Sequence, residues 1–181
     1  MKATDVVRVV VETLPRATLV SSLGTATSAV RSVTDDGPHL YFGAAMGSTM
    51  AAALGLAEAV PDREVVAIIG DGDFLMGASA LWSLSACRPT NLLVVVLADG
   101  TYTITGAQPI SVPLRVEGVC SALDGLSGAA VVACDELADA LARLPRPAVV
   151  EAAVTASAWP GPSPFVDPAE VVRNLRRSLG R

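Results

Sequence analysis

The chain of 181 residues is 51% apolar and carries 18 acidic and 13 basic residues, a net charge near −5. That length suits one domain over residues 1–181, with enough apolar side chains to bury a core without disulfides or metal. The mild acidity and the lack of a basic stripe exclude nucleic acid as a main partner, and no apolar run approaches the roughly 18–20 residues that cross a bilayer. Three cysteines, Cys87, Cys120 and Cys134, fall in apolar contexts and are expected as buried thiols. A protein with no disulfide framework and no signal peptide is expected to be soluble and cytoplasmic.

Amphipathic spacing predicts a helix over residues 3–14, ended by Pro15. Residues 17–22 read as a strand that runs into the Gly24-Thr25 turn, followed by one or two helical turns over 26–32. A second short strand is expected at 39–42, with His39, the one histidine, as an ordinary surface or edge residue. The small-residue loop 43–48 then opens a helix with Ser48 or Thr49 as its N-cap. Residues 64–70 form a continuous apolar run, as do residues 92–98, the pattern of strands buried on both faces of a parallel sheet. One helix reaching about residue 86 is expected between them. A Gly/Thr/Pro-rich loop, a helix near 114–123, a strand at 128–134, a helix at 135–144 and a strand at 147–154 complete the body. Residues 154–181 read as an irregular Pro-rich segment plus a terminal amphipathic helix. The alternation predicts an α/β fold, a doubly wound, mainly parallel sheet with helices on both faces and ligands at the carboxyl ends of the strands.

Three Gly-bearing turns fall at those ends, at Gly24, at Gly70-Asp71-Gly72 and at Asp99-Gly100. Glycine lets backbone N–H groups approach phosphate oxygens, and a helix starting at the turn adds the positive end of its dipole. A carboxylate there repels phosphate unless a cation lies between them. Magnesium takes octahedral oxygen ligands, commonly one or two carboxylates with phosphate, carbonyl and water. Asp71, Asp99 and the Thr101 carbonyl are therefore the candidate metal ligands. Asp-Gly is also a frequent plain turn, but two such pairs at neighbouring strand tips weigh against coincidence. The dinucleotide fingerprint fails at Leu75, where its third Gly belongs, and no Gly-Lys-Ser/Thr P-loop occurs.

With Asn91-Leu92 and the run ending in Asp99-Gly100-Thr101-Tyr102, the Gly70-Asp71-Gly72 turn resembles the GDG…N motif of thiamine-diphosphate enzymes. The resemblance is to their diphosphate-binding PP domain, most like the sulfopyruvate decarboxylase β subunit and phosphonopyruvate decarboxylase. It implies thiamine diphosphate and Mg2+ as cofactors, with Gly24, Thr25, Gly70, Gly72, Asp73 and Tyr102 around the diphosphate. The loop containing Ala44 and Met46 resembles the family's G-S-M-G, which implies Met46 as support for the bent cofactor and Ala44 as a carbonyl acceptor for its amino group. Thr105-Gly106-Ala107-Gln108 resembles the family's T-G-G-Q and implies a substrate contact for Gln108.

The departures are Asp99 where the family usually has Asn, Asp73 where a small residue is common, and Ala107 in place of Gly. The first two add negative charge near the diphosphate, and the third removes backbone freedom. The resemblance further implies a PYR-type α subunit that carries the activating glutamate, hence a hetero-oligomer such as a heterotetramer or larger. The implied reaction is decarboxylation of a 2-oxo acid bearing a second anion, sulfonate or phosphonate, with release of an aldehyde. The rivals are an acetolactate-synthase-like carboligase, a non-catalytic phosphate- or nucleotide-binding protein, and a degenerate subunit that serves assembly.

Overall fold

The computed structural model describes residues 1–43, 45–157 and 159–180. Among them the strands, in chain order, are β1 (Thr18–Ser21), β2 (Leu40–Tyr41), β3 (Val65–Gly70), β4 (Leu92–Ala98), β5 (Thr101–Tyr102), β6 (Gln108–Pro109), β7 (Ser127–Val131) and β8 (Ala148–Ala153). The helices are α1 (Ala3–Thr13), α2 (Thr25–Val33), α3 (Thr49–Ala59), α4 (Asp71–Met76), α5 (Ala80–Cys87), α6 (Val116–Ser121), α7 (Cys134–Arg143) and α8 (Pro168–Ser178).

Six strands form a parallel sheet in the order β2-β1-β3-β4-β8-β7, and β5 and β6 pair as a separate antiparallel ribbon. The fold is the expected α/β doubly wound sheet. In β3 and β4 nearly every residue is buried, because successive side chains point to opposite faces and both faces are covered. Val66, Ile68, Leu93, Val95 and Leu97 meet Val6, Val7 and Val10 of α1, Ala29 and Val30 of α2, and Leu137 and Leu141 of α7. Their alternates Val65, Ala67, Ile69, Val94 and Val96 meet Met50 and Ala53 of α3, Phe74 of α4, Leu81 and Leu84 of α5, and Val116 of α6. Asn91 fastens the start of β4, its Nδ2 donating to the carbonyls of Ala57, Val60 and Arg63 at 3.0, 3.1 and 2.8 Å. It thereby satisfies the carbonyl of Ala57, in the last turn of α3.

Three expectations are corrected, and a fourth, the N-cap of α3, holds in position. The single helix after β3 is two, α4 and α5, separated around Gly77. Gly77 is pressed so closely on Gly47 that a Cβ on it would lie 2.4 Å from the Gly47 carbonyl oxygen, and the chain turns there. Ser48 occupies the N-cap position of α3 with no side-chain cap bond. Of the cysteines only Cys120 is buried, its thiol pushed up to about 11 by burial, whereas Cys87 and Cys134 at helix ends are exposed. His39 lies beside the edge strand β2, yet it is buried, because its ring replaces missing strand pairing. Its Nδ1 accepts the Leu19 N–H at 3.3 Å, leaving the proton on Nε2, 3.2 Å from the Thr34 hydroxyl.

Candidate functional site

The chain leaves β1 for β2 on one side, then crosses back to β3 on the other, so the connections that leave the paired β1 and β3 part and open a crevice at their carboxyl ends. This is the topological switch point at which open α/β sheets bind ligands. The cavity there is lined by Leu23 to Ala26 after β1, Gly70 to Asp73 after β3, Leu97 and Asp99 at the end of β4, and Thr101 to Ile104. Met46 and Val154 complete its apolar wall. All three Gly-bearing turns thus reach one crevice, with Gly24 at φ +67 and Gly100 at φ +77, backbone regions open to glycine at no steric cost.

Asp71 is the first residue of α4 and is buried. Its Oδ1 accepts the Gly72 N–H at 2.8 Å and its Oδ2 the Gly100 N–H at 2.7 Å. Burial raises its pKa first of all, the Gly100 N–H opposes that, and the Asp99 charge raises it further. Asp99 Oδ1 accepts from the Thr101 N–H at 2.8 Å and the Thr101 hydroxyl at 2.9 Å, and its Oδ2 accepts from the Thr103 hydroxyl at 3.2 Å. Two carboxylates therefore face one crevice whose described lining holds no lysine or arginine. No group of three His, Cys, Asp or Glu side chains gathers as a metal site among the described residues. A cation here would draw its remaining ligands from carbonyls, a bound anion and water, the habit of magnesium. The donor set fits that ion, and of the glycines lining the crevice Gly70 has open space around it, with nothing within 4 Å of where a Cβ would sit.

Above the turn, Gly72 is covered by two side chains. A Cβ at Gly72 would lie 2.6 Å from the Tyr102 ring and 3.2 Å from Met46 Cε, so only glycine lets them close over this backbone. The loop bearing Met46 rests on the α4–α5 junction, with Gly47 at φ +87 and so close that a Cβ there would lie 2.8 Å from the Met76 carbonyl carbon. Asp73 lines the same crevice but bonds to a different loop. Its Oδ1 accepts the Gly47 N–H at 2.6 Å. Burial raises its pKa, opposed by that N–H and by the nearby Thr49 hydroxyl. The geometry between Asp73 Oδ2 and the Thr49 hydroxyl falls short of a hydrogen bond, and both atoms are buried without a partner.

Gly24, Thr25, Met46, Gly70, Asp71, Gly72, Asp73, Asp99, Thr101 and Tyr102 all line the crevice. Gln108 does not: it is exposed in β6, with Oε1 accepting from the Thr105 hydroxyl at 2.9 Å and Nε2 donating to the Thr105 carbonyl. Ala44 lies outside the described residues. The Thr25 hydroxyl donates to the Ser157 carbonyl at 3.1 Å, so the Pro-rich segment is tied to the start of α2. Gly161 N–H adds a bond to Ser28 Oγ at 2.9 Å on the same helix. Sequence reasoning missed Thr103, Ile104, Leu97 and Val154. For Thr103 the signal was hydroxyls at alternate positions after Asp99; the three apolar residues carried none, since strand ends and loops are rich in such side chains.

Residues 23–152, which include all three turns, match the family described as thiamine pyrophosphate enzyme, C-terminal TPP binding domain, and the chain belongs to it. It is 35% identical over 169 residues to the phosphonopyruvate decarboxylase of Streptomyces viridochromogenes, covering 90% of this chain and 42% of that protein. It is 34% identical over 90 residues to the sulfopyruvate decarboxylase subunit beta of Methanothermobacter thermautotrophicus, covering 50% of this chain and 48% of that one. The chain thus spans less than half the length of these relatives. Among solved structures, the thiamine diphosphate-dependent 4-hydroxybenzoylformate decarboxylase of Rhodococcus jostii RHA1 superposes with a TM-score of 0.67 at 23% identity, over 87% of this chain and 33% of that one. This last likeness is one of fold. No helix among the described residues is long and apolar enough to cross a membrane.

Proposed function

We propose that this chain is the diphosphate-binding subunit of a thiamine-diphosphate- and Mg2+-dependent 2-oxo acid decarboxylase. The observation that carries the reading is the pairing of Asp71 and Asp99 on adjacent strand tips, inside the crevice at the switch point. Asp71, Asp99 and the Thr101 carbonyl would hold Mg2+, and the backbone of the Gly24 and Gly70-Asp71-Gly72 turns would receive the diphosphate. Thiamine diphosphate, when bound, supplies the electron sink that lets a 2-oxo acid lose CO2. The protein's part is position, charge and exclusion of water. Met46 and Tyr102 cover Gly72 and limit the shape the cofactor takes, and Leu97, Ile104 and Val154 keep that end of the crevice apolar.

The names of the relatives support a substrate such as phosphonopyruvate or sulfopyruvate, with an aldehyde as product. A PYR-type partner subunit is part of the proposal. It is supported by the relatives called subunit beta and by the lack of any glutamate among the described lining residues. The exposed thiols of Cys87 and Cys134 suit a reducing compartment and favour a cytoplasmic setting.

The test is reconstitution of the chain with its PYR-type partner, thiamine diphosphate and Mg2+. Phosphonopyruvate and sulfopyruvate are supplied in turn, and CO2 and carbonyl products are measured. Stoichiometric CO2 and aldehyde support the reading. A coupled carboligation product contradicts the decarboxylase assignment, and a chain that binds neither cofactor nor partner contradicts both.

A further inference from the structure

Asp73 is the third carboxylate of the crevice, and neither of the assigned metal ligands explains it. It sits in the first turn of α4 and is 4% exposed. The hydrogen bond its side chain makes is long-range, Oδ1 accepting the Gly47 N–H at 2.6 Å across 26 residues of chain. Its other oxygen has no partner. A buried carboxylate with a single acceptor bond has a desolvation cost to offset, so its presence points to what that bond holds.

Gly47 directly follows Met46, and two contacts converge on this loop. Asp73 grips the amide of Gly47, while Gly47 and Gly77 meet so closely that neither has room for a Cβ. The loop is thereby fixed to α4, the same short helix whose first turn contributes Gly72. Met46 Cε and the Tyr102 ring both crowd the position a Gly72 Cβ would take. The side chain over the crevice and the backbone beneath it thus share one support.

We propose that Asp73 is a positioning residue: through the Gly47 N–H it sets the height of Met46 over Gly72 and so the space between the methionine and the Gly70-Asp71-Gly72 turn. Any consequence for the cofactor rests on the reading of this crevice as the thiamine-diphosphate site, whereas the clamp does not. At 2.6 Å the bond to the Gly47 amide is short for an N–H to oxygen contact, which suits a loop that must not drift.

The test uses the full chain labelled with [methyl-13C]methionine. It holds four methionines, Met1, Met46, Met50 and Met76, and Met46→Leu assigns the signal of interest. In the native chain without cofactor the Met46 methyl is displaced from the free-methionine position by the Tyr102 ring. Asp73→Ala returns it toward that position, Asp73→Asn, which retains an acceptor oxygen, keeps most of the displacement, and the buried Met50 methyl stays put in both. Should Asp73→Ala disturb Met50 as well, Asp73→Ser is read in its place, since it withdraws the acceptor from Gly47 with less loss of polarity. A Met46 signal unmoved by loss of the Asp73 acceptor overturns the proposal. Titration of the labelled chain, assembled with the proposed PYR-type partner, with thiamine diphosphate and Mg2+ separates the two readings. A native Met46 signal that ignores the cofactor contradicts the assigned function, while the variants still decide the clamp. A cofactor-responsive native chain with a loss of affinity of about threefold or more in Asp73→Ala, recovered in Asp73→Asn, supports both.

Discussion

Asp71 Oδ2 accepts the Gly100 N–H at 2.7 Å, which fastens the turn ending β3 to the turn ending β4. The strands themselves are in register up to Gly70 and Leu97. Beyond that point the sheet has no more ladder bonds to hold the two tips together, and the carboxylate takes over. The carboxylate proposed to meet a cation is thus already oriented by two backbone amides, Gly72 and Gly100.

That orientation has an electrostatic cost. Burial and the neighbouring Asp99 charge raise the Asp71 pKa, although the Gly100 amide opposes them. The folded chain without metal therefore holds this proton more tightly than the unfolded chain. Its contribution to stability is present below the unfolded pKa and is lost as pH rises through the folded one. Asp71→Asn removes the charge and is expected to change the stability of the metal-free fold by less than about 1 kcal/mol, the lost Gly100 bond offsetting the relieved desolvation. Thermal unfolding with and without Mg2+ checks this: the native chain is stabilised by Mg2+ with thiamine diphosphate, and the variant is not.

Gly72→Ala places a Cβ 2.6 Å from the Tyr102 ring, and the ring must swing out of the crevice. Because Tyr102 is only half-buried, the fold survives at a cost of about 1–2 kcal/mol. The Tyr102 fluorescence and the Met46 methyl signal are expected to change together, with cofactor affinity reduced. A variant with native affinity would contradict the close fit over the turn.

Ala107 sits at φ 58, a left-handed conformation that disfavours any residue with a Cβ. Replacing it with glycine is expected to stabilise the chain by about 0.5–1 kcal/mol, since relief of the strain exceeds the extra entropy glycine brings to the unfolded state. Denaturant titration measures it. Unaltered or lower stability would show that the β5–β6 ribbon accommodates the alanine freely.

His39 supplies a pH dependence of opposite sign to Asp71. Burial lowers its pKa to about 4 from the usual 6.5, with Asp35 acting weakly the other way. Between those values the unfolded chain binds a proton that the folded chain refuses, so this contribution is full above pH 6.5 and is lost as pH falls toward 4. The total is roughly 3 kcal/mol. Comparing native and His39→Gln chains by denaturation at pH 7 and pH 5 isolates it, the variant showing the flatter profile.

The layers and the crevice were legible because long apolar runs at 64–70 and 92–98 leave little choice but central parallel strands, and because glycines punctuate their ends. The Asp71–Asp99 pairing followed from the two Asp-Gly turns. Side-chain direction was not legible. Nothing in the sequence says that Asp73 reaches back to Gly47, that Thr25 is held by Ser157, or that Gln108 folds onto Thr105, since each is a contact set by tertiary packing. His39 and the split between α4 and α5 were missed for the same reason, one ring and one glycine answering to neighbours distant in sequence.

The most direct test of the account is calorimetric titration of thiamine diphosphate into the chain assembled with the proposed PYR-type partner, with Mg2+, with a chelator, and with Asp71→Asn in place of the native chain. The account predicts binding that requires Mg2+ and falls at least tenfold in the variant. Binding of equal strength in chelator, or in Asp71→Asn, would contradict it.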